Sequence, residues 1–177
     1  IGYSPDSGIE ILEDDGFAFK DLNKNGKLDP YEDWRLPIEE RLKDLASQMT
    51  IEQIAGLMLY SAHQSVSAPK PGNMFARRFA GTYGGKSFEE SGAEISDLTD
   101  QQRKFLSEDK LRHVLMTAVD SPEIAAKWNN NMQAFVEGVD LGIPVNISSD
   151  PRHGADSNGE YYVGADGQIS QWPSSLG

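Results

Sequence analysis

The stretch from residue 113 to residue 150 constrains the fold of this chain more than any other. His113-Val-Leu-Met-Thr-Ala-Val119 is an apolar-rich run of strand length. Ser121-Pro122-Glu123 then starts a helix, with proline at the first helical position and an acid near the positive end of the dipole. Ile124, Trp128, Met132, Phe135 and Val139 form its apolar stripe, and Gly142 ends it. Ile143-Pro-Val-Asn-Ile-Ser-Ser149 reads as a second strand, followed by Asp150-Pro-Arg-His-Gly154. Strand, helix and strand with short connections predict a βαβ unit, hence a parallel sheet with a right-handed crossover. A parallel sheet needs helices on its faces, so the fold class is α/β. One unit does not complete such a fold. A (β/α)8 barrel takes about 250 residues and this chain has 177, so the sheet is expected to be unfinished.

The rest of the chain reads less regularly. Residues 1–20 are acidic and loop-like, broken by Pro5, Gly8 and Gly16. Ile38, Leu42, Leu45 and Met49 recur at helical spacing after Pro37. Thr50-Ile-Glu-Gln53 is a capping box opening a second helix, and Gly56–Tyr60 either continues it or is a short strand. Residues 63–97 are polar and rich in Gly, Ser and Pro, a long loop of the kind that is usually functional or mobile. Thr99-Asp-Gln-Gln102 is another capping box, opening a helix to about Lys110. Two parts are expected: an N-terminal extension over 1–37, and the opening part of an α/β domain over 38–177.

Charge narrows the partners. Twenty-eight acidic residues against 16 basic ones leave −12. Nucleic-acid binders neutralise phosphates with Lys and Arg, and the longest basic run here is Arg77-Arg78. Nucleic acid and anionic membrane surfaces are disfavoured; a sugar or a cation suits the balance better. The longest apolar run, Ile54–Tyr60 with Gly56 inside it, falls far short of the roughly 20 residues of a spanning helix. The absence of cysteine rules out disulfides, thiolate chemistry and Cys-zinc sites. His63, His113 and His153 do not have metal-ligand spacing.

Residues 21–32, Asp-Leu-Asn-Lys-Asn-Gly-Lys-Leu-Asp-Pro-Tyr-Glu, match the EF-hand loop template. Asp21, Asn23 and Asn25 take ligand positions one, three and five, and Gly26 allows the sharp turn. Lys27 offers its backbone carbonyl, Asp29 ligates directly or through water, and Glu32 closes the shell with two oxygens. Ca²⁺ takes six to eight hard oxygens, which this spacing folds around one point. The expectation is one structural Ca²⁺ of weak to moderate affinity. The alternative for the same residues is a solvated Asx-rich turn. The acids from Glu89 to Asp100 are expected to be a solvated face, and Gly81–Gly85 a flexible turn.

Asp150 follows the second strand and precedes a proline, which holds it extended. A carboxylate at the end of a parallel strand can accept two sugar hydroxyls; it can equally cap a helix or turn. Leu141-Gly-Ile-Pro-Val-Asn-Ile-Ser-Ser-Asp-Pro-Arg-His-Gly154, with Gln171-Trp-Pro-Ser-Ser-Leu-Gly177, resembles glycoside hydrolase family 3, whose first domain carries an LGIP…D…HG…FP…LG run. Trp128-Asn-Asn-Asn-Met-Gln133 and Leu45-Ala-Ser-Gln-Met-Thr-Ile-Glu-Gln-Ile-Ala-Gly-Leu-Met58 resemble the family's segments before it. Trp172 stands where Phe is usual, and Asp150-Pro-Arg-His replaces the more frequent Asp-Ala-Val-His.

The resemblance implies a partial (β/α)8 TIM-barrel-like domain at the start of a secreted or periplasmic enzyme. It further implies a retaining β-glycosidase, of β-D-glucosidase type, removing terminal β-linked sugars from glucosides or oligosaccharides. Asp150 is then the ligand of the non-reducing-end hydroxyls. The family's nucleophile and acid/base fall downstream of such a segment, so no catalytic residue is assigned on this chain, and the remainder of the enzyme or a partner chain is required. The alternative is a non-catalytic calcium- or carbohydrate-binding module. Trp128 is expected in the core, Trp34 beside the calcium-type loop, and His113 in a structural role at a strand start. His153 is expected to order the loop after Asp150, and Trp172 to be core. The sequon Asn146-Ile-Ser148 falls in a strand expected to be buried, which argues against modification.

Overall fold

A hairpin occupies the acidic N-terminal stretch expected to be loop. In the computed structural model, which describes residues 2–66 and 81–149, β1 (Glu10–Asp14) pairs antiparallel with β2 (Phe17–Asp21). Asp15 and Gly16 join them with φ of 49° and 77°, the left-handed pair of a two-residue hairpin turn. Phe19 is buried at 1% exposure. The Trp34 ring stacks on it at 5.7 Å and the Arg35 guanidinium lies 4.7 Å above it. Trp34 thus packs on the hairpin that leads into the calcium-type loop.

α1 (Ile38–Gln48) forms where the apolar spacing places it, yet buries no residue, and Ile38 and Leu42 stay more than half exposed. α2 (Ile51–Leu57) opens on the expected capping box, with Thr50 Oγ1 accepting from the Gln53 amide and Gln53 Oε1 accepting from the Thr50 amide. The helix stops at Leu57; Tyr60 then bridges in parallel to His113. Residues 63–97 are not structureless: β3 (Gln64–Val66) and the short α3 (Phe88–Ser91) lie within them. α4 (Asp100–Ser107) begins at its Thr99 cap and stops short of Lys110, which adopts φ 58°.

The βαβ unit is present as β4 (His113–Val119), α5 (Pro122–Glu137) and β5 (Asn146–Ser149). The sheet order is β3-β4-β5, and both pairings are parallel. His113 lies opposite Asn146, Val114 opposite Ile147, and Leu115 opposite Ser148. Alternation gives the sheet two unlike faces. Val114 joins Val66, Leu106, Trp128, Met132 and Val136 in the core between sheet and helices. His113, Leu115, Asn146 and Ser148 lie on the opposite face, which no helix of the described residues covers. The described residues thus form an α/β arrangement with two small open sheets rather than a closed barrel.

The polar residues of Trp128–Gln133 fasten this unit. Trp128 Nε1 donates to Gln102 Oε1 at 3.3 Å, and Asn131 Nδ2 donates to the Ser96 carbonyl at 3.0 Å. Gln133 donates to the Val145 carbonyl at 2.8 Å and accepts from its amide at 3.1 Å. Arg112, 4% exposed, donates from Nη1 to the Leu106 and Leu111 carbonyls and from Nε to the Ile143 carbonyl. Burial pushes its guanidinium below the usual range, while the Asp140 charge opposes that shift.

Candidate functional site

The uncovered face of the parallel sheet carries a polar cluster. The Tyr60 ring stacks on His113 with centroids 5.8 Å apart, and Tyr60 Oη pairs with Ser148 Oγ. Asn146 Nδ2 lies 3.2 Å from His113 Nδ1. Ser61 fixes the cluster to the sheet: its amide donates to the His113 carbonyl, and its Oγ accepts from the Leu115 amide at 3.0 Å. His113 stands at the start of β4, where the sequence places it. Asn146 is exposed, against the expectation of burial, because no helix of the described residues covers its side of the sheet. The sequence reading missed Tyr60 and Ser148 as partners. The signal for Ser148 is the alternation Asn146, Ser148, Asp150, which sets the same sequence parity for all three; Tyr60 joins only through its bridge to His113. Asp150, Arg152, His153 and Trp172 lie outside the described residues; Asp150 follows Ser149, the last residue of β5, in sequence.

The loop from Asp21 to Glu32 is bound together by its own carboxylates. Asp21, 2% exposed, accepts from the Asn25 amide at 3.0 Å and the Gly26 amide at 2.8 Å. Glu32, 6% exposed, accepts from Leu22 and Asn23 amides on Oε1 and from the Asp29 amide on Oε2. Gly26 takes φ 74°, the left-handed turn expected of it, and Lys24 takes φ 60°. Asp29 Oδ2 accepts from Nδ2 of both Asn23 (2.5 Å) and Asn25 (2.7 Å). Burial raises the Glu32 carboxyl, although the three backbone amides oppose the shift. Burial and the neighbouring Glu32, Asp29 and Asp21 charges push the Tyr31 phenol well above its usual range. Among the described residues, no three His, Asp or Glu side chains stand ready as a metal-ligand set.

The acids near residue 100 are not simply a solvated face. Asp100 accepts from the Gly84 and Gly85 amides and from Thr82 Oγ1, at 2.9, 2.8 and 2.7 Å. These contacts fix the Gly81–Gly85 turn and hold the Asp100 carboxyl below the usual range. The turn lines an open hollow of about 410 Å³ with Tyr83, Asp97, Leu98 and Arg103. Both acids there are already engaged, since Asp97 accepts from the Glu94 amide.

No family model matches the chain. Curated relatives do. A periplasmic β-glucosidase/β-xylosidase of Dickeya chrysanthemi is 36% identical over 173 residues, covering 96% of this chain and 23% of that protein. A probable β-glucosidase C of Aspergillus oryzae is 30% identical over 158 residues, 87% of this chain and 21% of the relative. β-Glucosidase C of Emericella nidulans is 28% identical over 170 residues, 92% of this chain and 23% of the relative. The chain thus spans between a fifth and a quarter of the length of these relatives. No helix of the described residues is long and apolar enough to cross a membrane. The resemblance to the β-glucosidase-like enzymes of glycoside hydrolase family 3 holds across almost the whole chain, as a likeness to one segment of such enzymes.

Proposed function

We propose that this chain is the N-terminal portion of a retaining glycoside hydrolase that removes terminal β-linked sugars, of β-D-glucosidase type, working outside the cytoplasm. The observation that carries the reading is the 36% identity over 96% of the chain to the Dickeya chrysanthemi β-glucosidase/β-xylosidase. The one-sided sheet supports it. A parallel sheet covered on one face only is unfinished, and its open face carries Tyr60, His113, Asn146 and Ser148 where a barrel would enclose them. In this reading residues 1–37 are an N-terminal extension and 38–177 the first part of a (β/α)8 barrel completed by further polypeptide.

Asp150 is the sugar ligand. It follows β5 at the carboxyl end of a parallel strand, the end where α/β barrels hold their substrates. Its sequence parity matches Asn146 and Ser148, the residues on the open face. A charged acceptor there orients two hydroxyls of the terminal sugar, each such bond contributing about 1.5–3 kcal/mol. The nucleophile and acid/base that retention requires lie outside this segment.

The test is steady-state kinetics of the complete gene product on an aryl β-D-glucoside. Asp150→Ala is expected to lower kcat/KM by about a hundredfold or more, the loss of two charged hydrogen bonds. Unchanged kcat and unchanged KM would remove Asp150 from the site. Absence of hydrolysis on any β-linked glycoside would remove the enzymatic reading altogether.

A further inference from the structure

We propose that Tyr60 is a positioning residue: through the hydrogen bond it shares with Ser148, it sets the carboxyl end of β5 so that Asp150 meets the sugar. This role rests on the glycosidase reading above, since it is exercised through Asp150.

Tyr60 reaches across a strand. Its backbone bridges in parallel to His113, at the start of β4, and the next amide, of Ser61, donates to the His113 carbonyl at 2.9 Å. Tyr60 therefore lies along the β3 edge of β4, while β5 pairs along the other edge. The phenol ring lies over the His113 imidazole, with centroids 5.8 Å apart and 18° between the planes, and its Oη pairs with Ser148 Oγ beyond. The hydroxyl pair thus ties two segments that share no backbone pairing.

The place of that tie matters. The β4–β5 ladder runs from His113 opposite Asn146 to Met116 opposite Ser149, one residue before Asp150. Asn146, Ser148 and Asp150 share one parity, so a strand aims them to one face. On that face His113 Nδ1 lies 3.2 Å from Asn146 Nδ2, and Tyr60 meets Ser148. Two residues of strand span about 7 Å, which makes Ser148 the nearest same-face anchor before Asp150. A group that orients substrate must be held to about 0.5 Å by its supporting contacts, and a displacement of about 1 Å can cost a hundredfold in rate.

Tyrosine suits this task. Stacking on His113 fixes the ring, and the Ser61 hydroxyl, accepting from the Leu115 amide at 3.0 Å, fixes the segment that carries it. The hydroxyl is then delivered at a set height along β5. Tyr60 is 53% exposed in this chain. Enclosed by the remainder of the barrel, the pair would be shielded from competing water and so strengthened.

The test is a double-mutant cycle in the complete gene product, read by steady-state kinetics on an aryl β-D-glucoside and by melting temperature. Tyr60→Phe keeps the ring on His113 and removes only the hydroxyl. It and Ser148→Ala should each lower kcat/KM by about three- to tenfold, the loss of one hydrogen bond. The two changes together should cost no more than either alone. In an Asp150→Ala background, Tyr60→Phe should cost less than about twofold, because the residue it positions is gone. An equal loss with and without Asp150 would make Tyr60 merely structural and overturn the proposal. So would parental kcat/KM in both single variants, even with a lowered melting temperature. If Asp150→Ala itself loses nothing, the sugar-ligand reading of Asp150 falls and this role falls with it. A loss in Asp150→Ala beside a parental Tyr60→Phe overturns the positioning role alone.

Discussion

Asp100 shows how much one carboxylate can organise. Two glycine amides and a threonine hydroxyl converge on it, and hydrogen bonds to the charged form hold its carboxyl below the usual range. The sign follows. A depressed folded-state value gives a contribution present above the unfolded value of about 3.9 and lost as pH falls through the lower folded value. The Gly84 and Gly85 amide shifts in an NMR titration should hold steady through the ordinary carboxylate range and move only below it. A midpoint at or above the ordinary value would show that Asp100 does not hold the turn. Gly56 is a different case. A β-carbon there would lie 2.4 Å from the Lys110 carbonyl oxygen, a backbone atom with little freedom to yield. Gly56→Ala gains helix propensity of about 1 kcal/mol, but forced overpacking costs about 1–3 kcal/mol. The clash should win, and urea unfolding should show a lower midpoint; a raised midpoint would mean that α2 is free to shift. At this scale the sequence foretold Trp128 as core, the cap at Thr50 and the left-handed Gly26. It could not foretell Gly56, because what makes glycine necessary there is a carbonyl far along the chain.

Among the elements, those whose local and long-range demands agree were legible. β4, α5 and β5 lie where the apolar runs and the Ser121-Pro122 start put them. The β1–β2 hairpin replaces an expected loop: Asp15-Gly16 between apolar residues is a hairpin signal, but the acids and Pro5, Gly8 and Gly16 around it give the stretch the composition of a loop. β3 was not readable, since three residues carry no period and the strand exists only through its pairing with β4. The connection between α5 and β5 depends on Gln133, which meets both backbone groups of Val145. Gln133→Ala should leave a buried amide and carbonyl without partners and cost about 1–3 kcal/mol for each. Amide exchange at Val145 should rise before global unfolding. Unaltered Val145 protection would show that packing alone seats β5.

Among the described residues, much of the exposed apolar surface lies on α1, α2 and the segment after α2, with Tyr3, Phe17 and Trp34 exposed elsewhere. Ile38, Leu42, Ile51, Ile54, Met58, Leu59 and Tyr60 are each between 42% and 83% exposed, though α1 and α2 have the pattern of helices that bury a face. The open face of the parallel sheet, with His113, Asn146 and Ser148, borders Tyr60 at the end of this surface. Exposed apolar area of this kind marks an interaction site. Among the described residues the parallel sheet is covered on one face only, where parallel sheets ordinarily carry helices on both. Both features agree with a chain that spans 23% of its Dickeya chrysanthemi relative. The charge of −12 opposes collapse of one chain upon another, so the apolar face is expected to bind small apolar probes before it aggregates. The 177-residue chain alone should bind a hydrophobic dye, melt broadly and show no hydrolysis of an aryl β-glucoside. Joined to the rest of its gene product, it should lose dye binding and melt in one cooperative step. A sharp two-state melt of the isolated, monomeric chain without dye binding would mean that the apolar face is native surface, and would favour a self-standing calcium- or carbohydrate-binding module over an enzyme segment.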